Sequence, residues 1–248
     1  MNLDEWQASA VSIAQNWYRY LKENEIKKES KTNEKLTIGL PTHIYELDRM
    51  KGKRDRNKLE KKIASSKSRF MDQFVGRYNK KKEIFDGACF RMGLIEGKRS
   101  GNSSFVSLTE LGKEFALLKN PIIHEKKTSH AFSNEEVKLI YEKIIPQFHL
   151  EKQIIEDIIT ELKQKTMTSN DIQKIFNEYK KLIFEYYPID TKKLTDKERI
   201  KKKEDKITQT KVATMGRLSE LKIVDWETRD KVSRYSLNQE KAKILGLI

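Results

Sequence analysis

Twice along this chain a helical run of apolar residues gives way to two short strand-like runs around a polar turn. In the first instance Ile84, Phe85, Ala88 and Cys89 lead into Gly93-Leu94-Ile95-Glu96. The turn Gly97 to Asn102 follows, then Phe105-Val106-Ser107-Leu108, then Thr109-Glu110-Leu111-Gly112. In the second, Val212, Met215, Leu218 and Leu221 lead into Ile223-Val224-Asp225-Trp226, a turn over Glu227 to Lys231, and Val232 to Asn238. Helical spacing that switches to short apolar runs on both sides of a turn predicts helix, strand, hairpin tip and strand in each half. The glycines of the first tip suit a tight β-turn.

The rest of the chain reads as helices. Trp6, Ala10, Ile13, Ala14, Trp17, Tyr18 and Leu21 line one face of a helix predicted over Asp4 to Ile26. Such a stripe packs on its own unit, on a second copy of the chain, or on another protein. Asn120-Pro121 and the polar run to His130 mark a boundary. Beyond it Ser133 and Glu136 have capping-box spacing, and helices are predicted over 134–145, 149–164 and 169–179. The charged stretch Thr191 to Lys206 is read as a loop or an exposed helix extension. The divisions expected are a helical region over 1–62, a first domain over 63–120, a linker over 121–132 and a second domain over 133–248.

Charge narrows the partner. With 51 Lys and Arg against 37 Asp and Glu, the chain carries +14 and a pI near 9.5. Such an excess points to a polyanion, because each cation laid on a phosphate releases condensed counterions. The basic residues are also grouped. Eight stand between Arg49 and Lys62, and nine, against four acidic ones, between Lys192 and Lys211. No stretch has the length and apolarity of a membrane span, and the basic runs and apolar stripes fall on different segments, against an interfacial membrane helix. The acidic start Met1 to Glu5 lacks the basic opening of a secretory signal, so a cytoplasmic, nucleoid-associated protein is expected.

The segment FRMGLIEGKRSGNSSFVSLTELGKEF resembles the end of a winged helix-turn-helix domain of prokaryotic regulators, with its "GLI" strand, wing and closing "LTxLG". GRLSELKIVDWE and SRYSLN are similar to the same unit. The resemblance covers about 65–118 and 167–237 and implies a mainly α fold. It would comprise tandem winged-helix domains, three-helix cores with small β-hairpin wings, beside a long N-terminal helix. It further implies double-stranded DNA as partner, with the helix before each wing in the major groove and the wing on flanking phosphates or in the minor groove. On that reading the first recognition helix runs from Asn79 to Met92 and turns Lys80, Lys81, Lys82 and Arg91 to DNA, with Lys98, Arg99, Asn102 and Ser103 on its wing. The second runs from Lys206 to Leu221 and offers Thr208, Gln209, Lys211, Thr214 and Arg217, with Arg229, Lys231 and Arg234 on its wing. Lys201, Lys202, Lys203 and Lys206 would fix its register on phosphates.

Catalysis is not expected. His43, His124, His130 and His149 lack metal-ligand spacing, the single Cys89 forms no cysteine site, and no Gly-rich phosphate loop occurs. Neither a metal nor another cofactor is expected. Aromatics such as Tyr186-Tyr187 and Trp17-Tyr18 invite a single-strand reading, but the Trp17 group falls on a helical face better suited to a core or a dimer contact. The rival reading is a winged-helix docking subunit of a larger DNA-handling complex, held through protein contacts. The DNA reading covers a transcriptional regulator or the recognition component of a replication, restriction or defence system.

Overall fold

Asn2 starts the first helix by the chemistry of its side chain. Its Oδ1 accepts from the Asp4 N–H at 2.9 Å, while the Glu5 carboxylate accepts from the Asn2 N–H at 3.3 Å. The protein is described by a computed structural model over residues 1–23, 60–61, 64–65, 67–121, 124, 131–189 and 195–248. It is mainly helical with small antiparallel sheets and divides into two compact units, Met1–Leu118 and Lys119–Ile248. The basic segment Arg49 to Lys62, apart from Glu60 and Lys61, lies outside the described residues, as do His43, His130 and the side chain of Trp17.

In unit 1, helix α1 (Leu3–Glu23) buries Leu3, Gln7 and Val11, one residue per turn. The Gln7 amide donates to the carbonyls of Gly76 at 2.7 Å and Met71 at 3.4 Å, at the end of the π-helical turn Phe70–Val75. A buried amide satisfied by backbone carbonyls orients the helix as well as holding it. Helix α1 is therefore part of unit 1.

Strands β1 (Arg77–Asn79) and β2 (Ile84–Asp86) pair antiparallel. A single turn, α2 (Ala88–Arg91), then leads to β3 (Ile95–Ser100) and β4 (Ser103–Leu108), and α3 (Glu110–Leu117) closes the unit. The helix expected from Asn79 to Met92 is thus corrected to a hairpin and one helical turn. Its cause is local. The Asn79 Oδ1 accepts from the N–H groups of Lys81 and Lys82 at 3.1 and 3.3 Å, folding the chain back. Phe85 is then drawn onto Tyr78 and Phe90, with ring centres 5.1 and 5.2 Å away, packing that a β-aromatic residue favours. Met1 extends the β3–β4 ladder, exchanging backbone hydrogen bonds with Val106 at 2.9 and 3.2 Å. Gly112 packs so closely that a Cβ there would lie 1.8 Å from the Leu94 carbonyl oxygen.

Unit 2 opens with α4 (Asn134–Leu139), where the capping box of Ser133 and Glu136 forms. The predicted helix over 134–145 widens into a π-helical turn at Ile140–Ile144 and ends in a 3-10 turn carrying Pro146. Then follow α5 (His149–Leu162), β5 (Met167–Thr168), α6 (Ser169–Glu178), α7 (Lys180–Tyr186) and α8 (Asp196–Glu220). Strands β6 (Val224–Arg229) and β7 (Val232–Leu237) and helix α9 (Gln239–Ile244) complete the unit. The strand order is β5-β7-β6. Ile154, Ile158, Ile172, Phe176, Ile183, Met215, Leu218 and Ile223 are sealed in one core between the sheet and helices α5 to α8.

Candidate nucleic-acid interface

Helix α8 is built in two parts. Thr195 and Glu198 form a capping box at its start, where the N–H and then the hydroxyl of Thr195 on the Glu198 carboxylate hold that acid below its usual range. Every residue from Thr195 to Asp205 is exposed, and burial begins only at Ile207. A helix without a buried face draws little stability from packing. Its first half thus projects Lys201 and Lys202 into solvent, while Lys203 and Lys206 lie over the rings of Phe184 and Tyr187 on and just after α7, at 5.5 and 4.3 Å from the ring centres.

In the second half Thr208, Gln209, Val212 and Ala213 are exposed and Ile207, Thr214, Met215 and Leu218 are buried. Three of the expected contact residues are otherwise engaged. Thr214, only 1% exposed, cannot reach a base edge and is corrected to a core position. Lys211 is half-buried, its Nζ donating to the Ser169 Oγ at 3.1 Å, and burial lowers its pKa. Arg217 turns to α5, where its Nε lies 2.7 Å from the Glu151 Oε1.

The hairpins differ in how they spend their cations. At the β3–β4 tip Gly101 has φ +57, the first position of a type II′ turn. Arg99 folds back over it, donating to the Gly101 and Asn102 carbonyls at 2.7 and 3.1 Å, with its guanidinium 4.6 Å from the Tyr78 ring centre. Arg99 therefore braces the tip, while Lys98, Asn102 and Ser103 are exposed. Lys80, Lys81 and Lys82 are exposed on the β1–β2 turn, not on a helix. Arg91 pairs with Asp86 at 2.8 Å; burial raises the Asp86 carboxyl, but Arg91, the Gly87 N–H and Arg77 outweigh it and hold the pKa low.

On the β6–β7 hairpin Asp230 and Lys231 both have positive φ, +50 and +64, as a type I′ turn requires. Arg229 pairs with Glu227 at 3.0 Å, and Arg234 stands across from the same glutamate. Trp226, absent from the expected site residues, is 46% exposed on the other face of the hairpin. The period-2 pattern Val224, Trp226 signals only that it shares a face with the core.

Among the described residues no group of three or more His, Cys, Asp or Glu is placed to hold a metal ion, and no helix is long and apolar enough to cross a membrane. Cys89 is half-buried, and burial pushes its thiol up to about 11. The chain matches no protein-family model, no curated protein and no solved structure.

Proposed function

We propose that this chain binds double-stranded DNA through two winged-helix units, with unit 2 as the reader. The observation that carries the reading is the element sequence of unit 2. A long helix with an exposed, lysine-rich first half runs directly into a two-residue β-hairpin, and the hairpin's second strand pairs with β5 at the start of α6. A winged helix that addresses DNA needs this order: a helix for the major groove, then a wing for the backbone beside it. Thr208 and Gln209 are the groups suited to base edges, and Lys201, Lys202, Lys203 and Lys206 those suited to phosphates. Unit 1 takes a lesser part. The helix before its wing is four residues long, too short to lie along a major groove. Its Lys80–Lys82 turn and Lys98 are phosphate contacts.

The test is fluorescence anisotropy with a labelled random duplex of about 30 base pairs, titrated over salt; log affinity is expected to fall with log salt by roughly 0.9 per phosphate contact. Sequence preference is then read by selection from a random library. Absence of binding at low salt overturns the proposal in favour of a protein-docking role.

A further inference from the structure

From Ile207 onward α8 is rooted in unit 2 by Ile207, Thr214, Met215 and Leu218, all buried. The side turned away from that core is a strip of Thr208, Gln209, Val212, Ala213 and Gly216, spaced three and four residues apart. It runs for about 12 Å and carries no charge, in a chain where 35% of the residues are charged. Neither the Thr208 hydroxyl nor the Gln209 amide makes a hydrogen bond among the described residues. The half-buried Thr210 hydroxyl, by contrast, donates to the Lys206 carbonyl at 2.9 Å. Val212 is 56% exposed in the middle of the strip, and Gly216 leaves open space where a Cβ would stand. The cations beside the strip are engaged: Lys206 lies over Tyr187, Lys211 donates to Ser169, and Arg217 is held by Glu151.

What covers the strip is set by its charge pattern. Two turns towards the N-terminus, on the same side of α8, stand Lys201 and Lys202, both exposed. Cations followed by uncharged polar groups match a phosphate backbone followed by base edges. Asp205 and Glu220 stand one turn beyond the two ends of the strip and repel phosphate there, so the stretch between them is where a base edge can approach. A protein partner would bury a contiguous apolar patch. Val212 is the one large apolar side chain on the strip; Ile200, also exposed on α8, lies more than three turns away and a third of a turn round the helix. The strip has no Lys or Arg for guanine O6 and N7, the commonest specific contact. An amide suits adenine, whose N6 donates and N7 accepts, and an apolar side chain suits the thymine 5-methyl.

We propose that this strip reads A·T pairs in the major groove, with the Gln209 amide on adenine N6 and N7 and Val212 on the thymine 5-methyl. The inference rests on the DNA-binding reading above, and the two fail separately. The full chain is titrated by anisotropy against labelled duplexes of equal length built from alternating A·T, A·U, G·C or inosine·C pairs. Inosine·C keeps the major groove of G·C but has the minor groove of A·T, so it separates reading of the two grooves. The wild type is expected to bind A·T about tenfold more tightly than G·C and inosine·C. Uracil in place of thymine is expected to cost about threefold. Gln209→Ala, shown by circular dichroism to be folded, loses most of the preference for A·T over G·C. Val212→Ala, likewise folded, loses most of the uracil penalty. Equal wild-type affinity for A·T and G·C, a preference shared by inosine·C, or one that survives Gln209→Ala overturns the inference and leaves duplex binding standing. A uracil penalty unchanged in Val212→Ala overturns the thymine contact. Failure to bind any of the duplexes overturns both readings.

Discussion

Arg217 and Glu151, 66 residues apart in the chain, are joined across two helices: both Nε and Nη2 of the arginine donate to the same carboxylate oxygen. The pair ties α8 to the start of α5. A base-reading role for Arg217 would require breaking it and leaving Glu151, whose side chain is only 20% exposed, without its cation.

Arg217→Ala is therefore expected to act on stability rather than on base preference. The half-exposed pair contributes about 1 kcal/mol or less, a fall in Tm of about 3 °C. Differential scanning calorimetry measures the first effect and a binding selection the second. A changed sequence preference would return Arg217 to the readout face.

The exposed first half of α8 makes the opposite prediction. Replacing Lys201, Lys202 and Lys203 by alanine removes charge from a segment with no buried face, so folding is preserved. Affinity for every duplex falls together, and the log–log salt slope flattens by about 2–3. A loss confined to particular sequences contradicts phosphate contact.

Gly112 offers a test of unit 1 alone. In Gly112→Ala the new methyl collides with the Leu94 carbonyl, 1.8 Å from the ideal Cβ position. Backbone cannot yield as a flexible side chain does, and a cost of about 2–3 kcal/mol is expected. Hydrogen exchange read by mass spectrometry should show lost protection in peptides of Met1–Leu118 and unchanged protection in Lys119–Ile248.

Asp171 carries a pH dependence. Hydrogen bonds from the Thr168 hydroxyl at 2.7 Å and N–H at 3.0 Å hold its carboxyl at about 2, against an ordinary value of 3.8. Because the folded pKa is depressed, the capping interaction stabilises the protein above the unfolded value and is lost as pH falls through the folded one. The Tm difference between wild type and Asp171→Asn should be constant above about pH 5 and close between about pH 4 and 2. A gap that persists at low pH would separate the stabilisation from the charge.

Several of these features are legible in the residues themselves. Ser133 with Glu136 announces a helix start because a capping box is chemistry within four residues. The two hairpins are legible because apolar runs on either side of a polar turn leave the chain few alternatives. Asn79 to Met92 reads as a helix for an equally local reason: Ile84, Phe85, Ala88 and Cys89 fit a helical stripe. The competing signals, an Asn turn at 79 and aromatic packing of Phe85 on Tyr78, are settled only once the strands pair.

Net charge, the grouping of lysines before α8, the caps and the paired hairpins follow from the sequence alone, since each depends on neighbours a few residues apart or on composition. The tertiary structure decided which polar residues are available. Thr214 and Thr208 differ by 6 positions on one helix, yet one faces the core and the other solvent. Arg217 is engaged by a glutamate on another helix, Arg99 is folded onto its own hairpin tip, and Trp226 is open at a sheet edge. Burial and pairing of this kind arise from contacts between segments far apart in the chain, and no local pattern encodes them.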